Sequence, residues 1–244
     1  MTEKDQEHTR VNKILLGPLE RPALAWLAKK MPDWVTPDNL TALGFFGTIL
    51  IAVSYVLTRL DPAFLWLASF GFVVNWFGDS LDGTLARHRK IERPRYGFFL
   101  DHAIDGLGEV LIMFGIAFSP YVDFRIAMIA LVGYLLMANM VYLTTYVKSE
   151  FRISYIGLGP TEVRLILIIT NILVFYLGNN YINTRFGMFT VYDFVILAMA
   201  VLLFSIYLVM TYVTSRQLAQ EEAKARQKQY DLTTDQDRMT DIPG

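Results

Sequence analysis

Long apolar stretches separated by short polar connections are the main pattern of this chain. Six such stretches occur, at residues 36–58, 63–87, 97–119, 122–147, 162–178 and 191–212. Each is close to the roughly 20 residues that an α-helix needs to cross the hydrocarbon core of a bilayer. The pattern therefore predicts an all-α integral membrane protein with six transmembrane helices.

The segment before the first span has a different pattern. Residues 1–13 are charged and polar and lack the apolar core of a signal peptide, so we expect a cytosolic tail. Residues 18–34 alternate between apolar positions on one side of a helix and basic positions elsewhere: Leu24, Leu27, Ala28 and Met31, with Arg21, Lys29 and Lys30. This predicts an N-terminal amphipathic helix at the membrane interface. A helix packed on the body of the protein explains the same pattern equally well.

Short sequence features at each end predict the boundaries of the membrane domain. Thr36 followed by Pro37 is typical of a helix start, because Thr is a good N-cap and Pro fits the first turn. After Thr214 the chain becomes polar and helix-prone. We therefore expect a tail and interfacial helix over residues 1–35, a six-helix transmembrane domain over 36–214, and a polar cytosolic extension over 215–244.

Composition agrees with a membrane protein and charge predicts its orientation. Of the 244 residues, 54% are hydrophobic and none is Cys, which excludes a disulfide framework. The net charge of −1 gives no reason to expect a nucleic-acid partner. Lys and Arg cluster before the first span, around residues 87–95, in the fourth connection and in the C-terminal extension, while the other three connections hold one each. The positive-inside rule then predicts cytoplasmic termini.

Four carboxylates beside apolar helices are the candidate chemistry. Asp79 and Asp82 are three residues apart, and Asp101 and Asp105 are four apart, so each pair shares one helical face. Each carboxylate at membrane depth costs roughly 2.5–3.5 kcal/mol if unpaired. One or two Mg²⁺ or Mn²⁺ ions between the helices would offset that cost and bind phosphates. The simpler alternative is that the carboxylates face solvent and pair with nearby arginines, Arg87, Arg89, Arg93 or Arg95.

The spacing of these residues resembles the signature of the CDP-alcohol phosphotransferases, integral membrane enzymes of phospholipid synthesis. Eight positions match: Asp79, Asp82, Gly83, Ala86, Arg87, Gly97, Asp101 and Asp105. The resemblance implies transfer of a substituted phosphate from a CDP-alcohol to a second alcohol, with release of CMP. It also implies that Mg²⁺ or Mn²⁺, as two ions, is held by Asp79, Asp82, Asp101 and Asp105, and that Asp105 accepts the proton of the attacking hydroxyl.

The same resemblance suggests how the nucleotide is held. Gly83 and Ala86 would let the nucleotide lie close to the helix, and Arg87 would contact a phosphate. Asp38 and Thr41 are weaker candidates for contacts with the cytidine, since their segment also reads as a plain helix cap. The basic residues 88–95 would attract a diphosphate and place the active site on the cytoplasmic side.

The second alcohol is less well defined. Candidates for its pocket lie around the fourth connection: Lys148, Arg152, Glu162 and Arg164. An ordinary helix start explains that segment equally well. The donor is CDP-diacylglycerol or a CDP-amino alcohol, and at least one of the two substrates carries the lipid chains. Because members of this family are often dimers, a homodimer is one expected assembly.

An Asp cluster beside membrane helices is also compatible with two other functions. A magnesium-dependent membrane prenyltransferase also binds a diphosphate through Asp-rich helix ends, but it gives no reason for the Gly, Ala and Arg positions of the signature. A cation transporter that uses the carboxylates as ion sites would predict discontinuous helices or an inverted repeat, and the sequence shows neither. Binding of a cytidine nucleotide would exclude the transporter and disfavour the prenyltransferase.

Overall fold

The computed structural model describes residues 15–148, 160–185 and 187–240. These residues form seven helices and one β-hairpin, in the order α1 (Gly17–Lys30), α2 (Pro37–Leu57), α3 (Phe64–Arg89), α4 (Pro94–Ala117), α5 (Phe124–Lys148), α6 (Pro160–Leu177), β1 (Tyr181–Thr184), β2 (Gly187–Thr190) and α7 (Val191–Thr240). The predicted helical membrane fold is therefore confirmed. The hairpin, an antiparallel pair in which Tyr181 faces Thr190, was not predicted.

Five of these helices are long and apolar enough to cross a membrane: α2, α3, α5, α6 and α7. The predicted sixth span corresponds to α4, which has the length but carries Asp101, Asp105 and Glu109 within its apolar part. Helix α4 nevertheless packs in the helix bundle, where it contacts both α2 and α5. Length and composition thus support a multi-pass membrane protein, and the three carboxylates explain why α4 is not among the five helices that meet both criteria.

Helices α2 and α3 form the most closely packed pair in the molecule. Thr36 caps α2 by accepting a hydrogen bond from the Asn39 N–H at 3.2 Å, as the sequence predicted. Glycines then allow the two backbones to meet: a Cβ atom placed on Gly78 would lie 2.3 Å from the Gly44 nitrogen. No other residue would fit at that crossing. The C-terminal half of α3 is therefore held rigidly against the start of α2.

The N-terminal helix α1 combines the two alternatives that the sequence left open. Leu24 and Ala28 are buried against Leu81 and Leu85 of α3, so one side of α1 packs on the protein. Trp26, in contrast, is 60% exposed on the other side. The helix is thus docked on the bundle while it presents apolar side chains outward, as expected for a helix at a membrane interface.

The connection between α3 and α4 is shorter than the basic loop that the sequence predicted. Helix α3 continues to Arg89, Lys90 adopts a left-handed conformation (φ 57°), and α4 begins at Pro94. Most of the basic residues therefore lie on helix ends, which places them beside the signature carboxylates. At the other end of the chain α7 continues as one helix through residue 214 to Thr240, beyond its predicted membrane segment.

Candidate active site

An open cleft lies where the start of α2, the C-terminal half of α3 and the start of α4 meet. Residues from both halves of the signature line it, together with two residues of α2: Asp82, Gly83, Ala86, Gly97 and Asp101, with Asp38 and Thr41. Four of the five residues expected to hold the nucleotide are therefore in one place. The fifth, Arg87, lies along the helix surface beside Gly83, where its Nη2 donates to Thr84 Oγ1 at 3.2 Å.

Asp82 forms the floor of this cleft. Its side chain accepts a hydrogen bond from the Thr41 hydroxyl at 2.6 Å, and its other oxygen accepts the N–H of Gly83 at 2.5 Å. The residue is only 7% exposed. Burying a carboxylate costs free energy unless hydrogen-bond donors compensate for the lost water. Thr41 therefore has a structural role in addition to its predicted contact with the nucleotide.

Asp79 pairs with an arginine from a distant part of the chain. Arg164 of α6 donates from Nη2 to Asp79 Oδ2 at 2.5 Å and from Nε to Asn75 Oδ1 at 2.7 Å. Asn75 is in turn anchored on α2, since its amide donates to the Gly44 carbonyl and to the Thr48 hydroxyl, both at 3.1 Å. The third guanidinium nitrogen, Arg164 Nη1, is buried and has no hydrogen-bond partner within the part of the chain that the structure describes.

The signature carboxylates of α4 join this group electrostatically. The charge of Asp105 interacts with those of Asp79 and Asp101, and also with that of Arg164. Asp82 interacts with Asp101 and Asp79 in the same way. The charges of the two Asp pairs are thus within electrostatic reach of one another. Asp105 itself is exposed on the surface of α4.

Two arginines at the α3–α4 connection contact groups other than the signature carboxylates. Arg93 pairs with Asp38 and stacks over the Tyr96 ring, 4.2 Å from its centroid. Arg89 donates to the carbonyls of Met31, Pro32 and Val35, and so fixes the connection between α1 and α2. The cation that pairs with Asp79 is Arg164. The alternative of pairing with the adjacent arginines is therefore wrong for Asp79.

The same residues can be tested as ligands for a divalent cation. Four carboxylates provide the hard oxygen donors that Mg²⁺ and Mn²⁺ prefer, so the chemistry of the donor set fits. The side chains do not, however, surround one common point. Among the described residues, no three carboxylate or histidine side chains lie close enough together to hold a metal ion. Asp79 is turned toward Arg164, and Asp82 toward Thr41.

Two of the four residues predicted for the acceptor pocket, Glu162 and Arg164, have described side chains, and these two face different partners. Arg164 faces Asp79, whereas Glu162, two positions earlier, is buried and accepts the N–H of Leu16 at 2.7 Å, at the start of α1. Arg152 lies outside the described residues. Lys148 is the last residue of α5, and its side chain also lies outside the described part.

Three polar residues near the site were missed at the sequence level. Asn75 lies one turn before Asp79 and Glu109 lies one turn after Asp105, so extending the four-residue spacing would have found both. Glu109 interacts electrostatically with Tyr134 of α5. Glu20 of α1 accepts hydrogen bonds from Trp76 at 2.8 Å and Thr161 at 2.7 Å, and no local pattern predicted that contact between three helices.

Comparison with known proteins agrees with the geometry. The model of the CDP-alcohol phosphatidyltransferase family matches residues 34–215. The chain is 29% identical to the archaetidylinositol phosphate synthase of Pyrococcus horikoshii over 157 residues, which cover 64% of this chain and 76% of that protein. It is 25% identical to cholinephosphotransferase 1 of Bos taurus over 202 residues and of Homo sapiens over 203, which cover 79% of this chain in both cases.

The chain spans less than half the length of either cholinephosphotransferase, 46% in both cases, so those matches concern one part of longer proteins. The family match, in contrast, includes the whole signature, four of the five helices with the properties of membrane spans, and the fifth, α7, as far as residue 215. The resemblance found in the sequence is thereby confirmed, and the chain belongs to the CDP-alcohol phosphatidyltransferase family, enzymes that transfer substituted phosphate groups.

Proposed function

We propose that this protein transfers a substituted phosphate from a CDP-alcohol to a second alcohol and releases CMP. The observation that carries this proposal is the cleft in which both halves of the signature meet, with Asp82, Gly83 and Ala86 on one helix and Gly97 and Asp101 on the other. Small residues on the wall leave room for a nucleotide. The carboxylates would hold divalent cations, and these cations together with Arg164 would supply the positive charge that a diphosphate needs.

In the proposed reaction, the oxygen of the acceptor hydroxyl forms a bond to the phosphorus that carries the donor's alcohol. The bond from that phosphorus to the oxygen of CMP breaks, and CMP leaves with the electron pair. Asp105 accepts the hydroxyl proton. Its exposed position on α4, beside Asp79 and Arg164, is consistent with that role.

Arg164 has a further role in this proposal. Its Nη1 group is buried without a partner in the described part of the chain, while the other two guanidinium nitrogens are fixed by Asn75 and Asp79. A phosphate oxygen would satisfy the free N–H, and guanidinium groups bind phosphates well. We therefore propose that Arg164 binds a phosphate of either the donor or the acceptor. Of the four residues that the sequence suggested for the acceptor pocket, Arg164 is the one that this argument retains.

A divalent cation completes the proposed site. Asp79, Asp82, Asp101 and Asp105 would hold Mg²⁺ or Mn²⁺, as two ions, and the bound charge would stabilise the leaving CMP. Binding requires Asp79 to exchange part of its contact with Arg164. Calorimetric titration of the wild type and of Asp82→Asn with Mn²⁺ tests this assignment, and equal affinity of the two proteins would contradict it.

The test of the function is CMP release by the purified protein with Mg²⁺ or Mn²⁺. One set of assays pairs CDP-diacylglycerol with polar alcohols, and the other pairs CDP-choline or CDP-ethanolamine with diacylglycerol. We expect CMP from one set. Asp105→Asn should abolish turnover and leave cytidine-nucleotide binding largely intact, whereas Asp61→Asn, at the opposite end of α3, should change neither. No CMP from either set would refute the proposal.

We also propose that both termini and the cleft face the cytoplasm, because the basic residues are concentrated on that side. The chain contains no cysteine, so single cysteines can report on orientation. Cysteines placed at Lys90 and at Arg185 should react from opposite sides of the membrane, Lys90 from the cytoplasm. The opposite result would reverse the proposed topology. Chemical cross-linking in the membrane tests the expected homodimer.

A further inference from the structure

Two hydrogen bonds attach the start of α1 to the first turn of α6. The Leu16 N–H donates to Glu162 Oε1 at 2.7 Å, and the Thr161 hydroxyl donates to Glu20 Oε1, also at 2.7 Å. Leu16 and Glu20 are four residues apart, so both contacts come from one face of α1. The bonded residues are 146 and 141 positions apart in the chain. The start of α6 is therefore held by the N-terminal helix.

The Glu20 carboxylate also contacts α3. The same oxygen, Oε1, accepts the indole N–H of Trp76 at 2.8 Å. Trp76 directly follows Asn75, whose side chain accepts the Nε–H of Arg164 at 2.7 Å. On α6, Thr161 lies three residues before Arg164 and so shares its helical face. One carboxylate oxygen thus joins α3 to α6 within one helical turn of the place where Arg164 joins the same two helices.

The position of Arg164 depends on how the first turn of α6 is held. Helix α6 begins at Pro160, so Arg164 is its fifth residue. The first N–H groups of a helix have no partner within the helix, and outside contacts stabilise that turn. The guanidinium needs a fixed position, because Nε and Nη2 must stay within hydrogen-bond distance of Asn75 and Asp79. Only then does the buried Nη1 keep the place where a phosphate oxygen can reach it.

The docking of α1 on the bundle has its own contacts. Leu24 and Ala28 are buried against Leu81 and Leu85 of α3, farther along α1 than Glu20. These apolar contacts hold α1 on α3 but do not reach α6. The two donors that Glu20 binds, an indole and a hydroxyl, come from α3 and α6. The specific effect of the Glu20 carboxylate is therefore to join those two helices.

We propose that Glu20 is a positioning residue for Arg164. By holding Thr161 of α6 close to Trp76 of α3, it keeps the guanidinium where Nη1 meets a substrate phosphate. This inference rests on the part of the proposed function that assigns Arg164 to a phosphate. The N-terminal helix therefore supports the active site in addition to lying at the membrane interface.

The experiment compares phosphate binding in single and double variants of the full chain. The probe is inorganic pyrophosphate, titrated by calorimetry with Mg²⁺ present, because the carboxylates nearby would otherwise repel the anion. Arg164→Gln should lower the affinity at least about tenfold, and Glu20→Ala about fivefold, the effect expected from one lost hydrogen bond. In the double variant, Glu20→Ala should add less than about twofold, because the guanidinium that it positions is gone.

Conservative variants separate the hydrogen bonds from a general loosening of the fold. Glu20→Gln retains an acceptor oxygen and Thr161→Ser retains the hydroxyl, so both should keep the pyrophosphate affinity within about twofold of the wild type. Thr161→Val removes the donor and should behave like Glu20→Ala. Leu24→Ala weakens the apolar docking of α1, so it should lower the melting temperature while the affinity stays within about twofold.

The outcomes separate this inference from the proposed function. An equal loss from Glu20→Ala in the wild-type and Arg164→Gln backgrounds, or an equal loss in Leu24→Ala, would overturn the positioning role. Unchanged pyrophosphate affinity in Arg164→Gln would overturn the phosphate contact of Arg164, and this inference with it. If pyrophosphate binding shows the expected coupling but no substrate pair yields CMP, the proposed transfer fails while the positioning role is supported.

Discussion

The two sides of the candidate site use glycine in opposite ways. On the α2–α3 side, Gly78 meets the backbone of Gly44 so closely that no side chain fits between them. On the α4 side, Gly97 and Gly106 have nothing within 4 Å of the position of a Cβ atom. The same residue type therefore builds a closed wall on one side and open space on the other. A site for a nucleotide and a second substrate needs both.

The largest expected effect comes from breaking the closed wall. In Gly78→Ala the new Cβ would lie 2.3 Å from the Gly44 nitrogen and 2.4 Å from the Leu40 carbonyl oxygen, and backbone atoms cannot move aside without separating the helices. We expect a loss of about 3 kcal/mol or more in the free energy of unfolding, with loss of CMP release. Thermal unfolding in detergent measures it. A normal melting temperature would show that the α2–α3 contact is looser than described.

The second effect concerns the ion pair that attaches α6 to this wall. Arg164→Gln leaves Asp79 partly buried without its cation, so we expect a cost of about 2 kcal/mol in stability, together with weaker binding of phosphate-containing substrates. The double variant Arg164→Gln with Asp79→Asn should recover stability, because no unpaired charge remains, but should stay inactive. Recovery of activity in the double variant would mean that neither charge acts in the reaction.

The third effect is confined to the floor of the cleft. Thr41→Val keeps the shape of the side chain and removes the hydroxyl that donates to Asp82, which should cost about 1–2 kcal/mol in stability and raise the KM of the donor. Thr41→Ser retains the hydroxyl and is the matched control. An effect of Thr41→Val no larger than that of Thr41→Ser would show that the hydrogen bond to Asp82 contributes little to stability.

The smallest effect is expected on the open side. Gly106→Ala introduces a methyl group that meets nothing within 4 Å, in a helix where Ala is favoured over Gly by about 1 kcal/mol. Its melting temperature should stay constant or rise slightly, and CMP release should remain within about twofold of the wild type. A marked loss of stability would show that the space beside Asp105 is occupied by packing.

The sequence predicted the helices well because their causes are local. Apolar length, the cap at Thr36 and the four-residue spacing of Asp101 and Asp105 all act within one or two helical turns. The grouping of the four signature carboxylates was also expected, since their two helices are adjacent in the chain. These features do not depend on how distant helices pack.

The remaining features depend on contacts between distant segments. Arg164 reaches Asp79 across 85 residues, and Glu20 joins α1 to α6 across 141 residues. Hydropathy cannot predict such pairs, because it is insensitive to the rotation of one helix against another. The acceptor pocket expected around Glu162 and Arg164 illustrates this limit: the two residues are close in sequence, yet one faces α1 and the other faces Asp79.

The continuous α7 helix has a mechanical consequence. It contains 50 residues, about 75 Å at 1.5 Å per residue, whereas the hydrocarbon core of a bilayer is about 30 Å thick. About 45 Å of the helix therefore projects beyond the bilayer. With α4 counted as the predicted sixth span, the helices alternate in direction, and the projecting end is on the side where we propose that the signature carboxylates lie. The segment is then a spacer of fixed length, which holds whatever is attached at residue 240 at a set height above the cleft where we propose that the nucleotide binds.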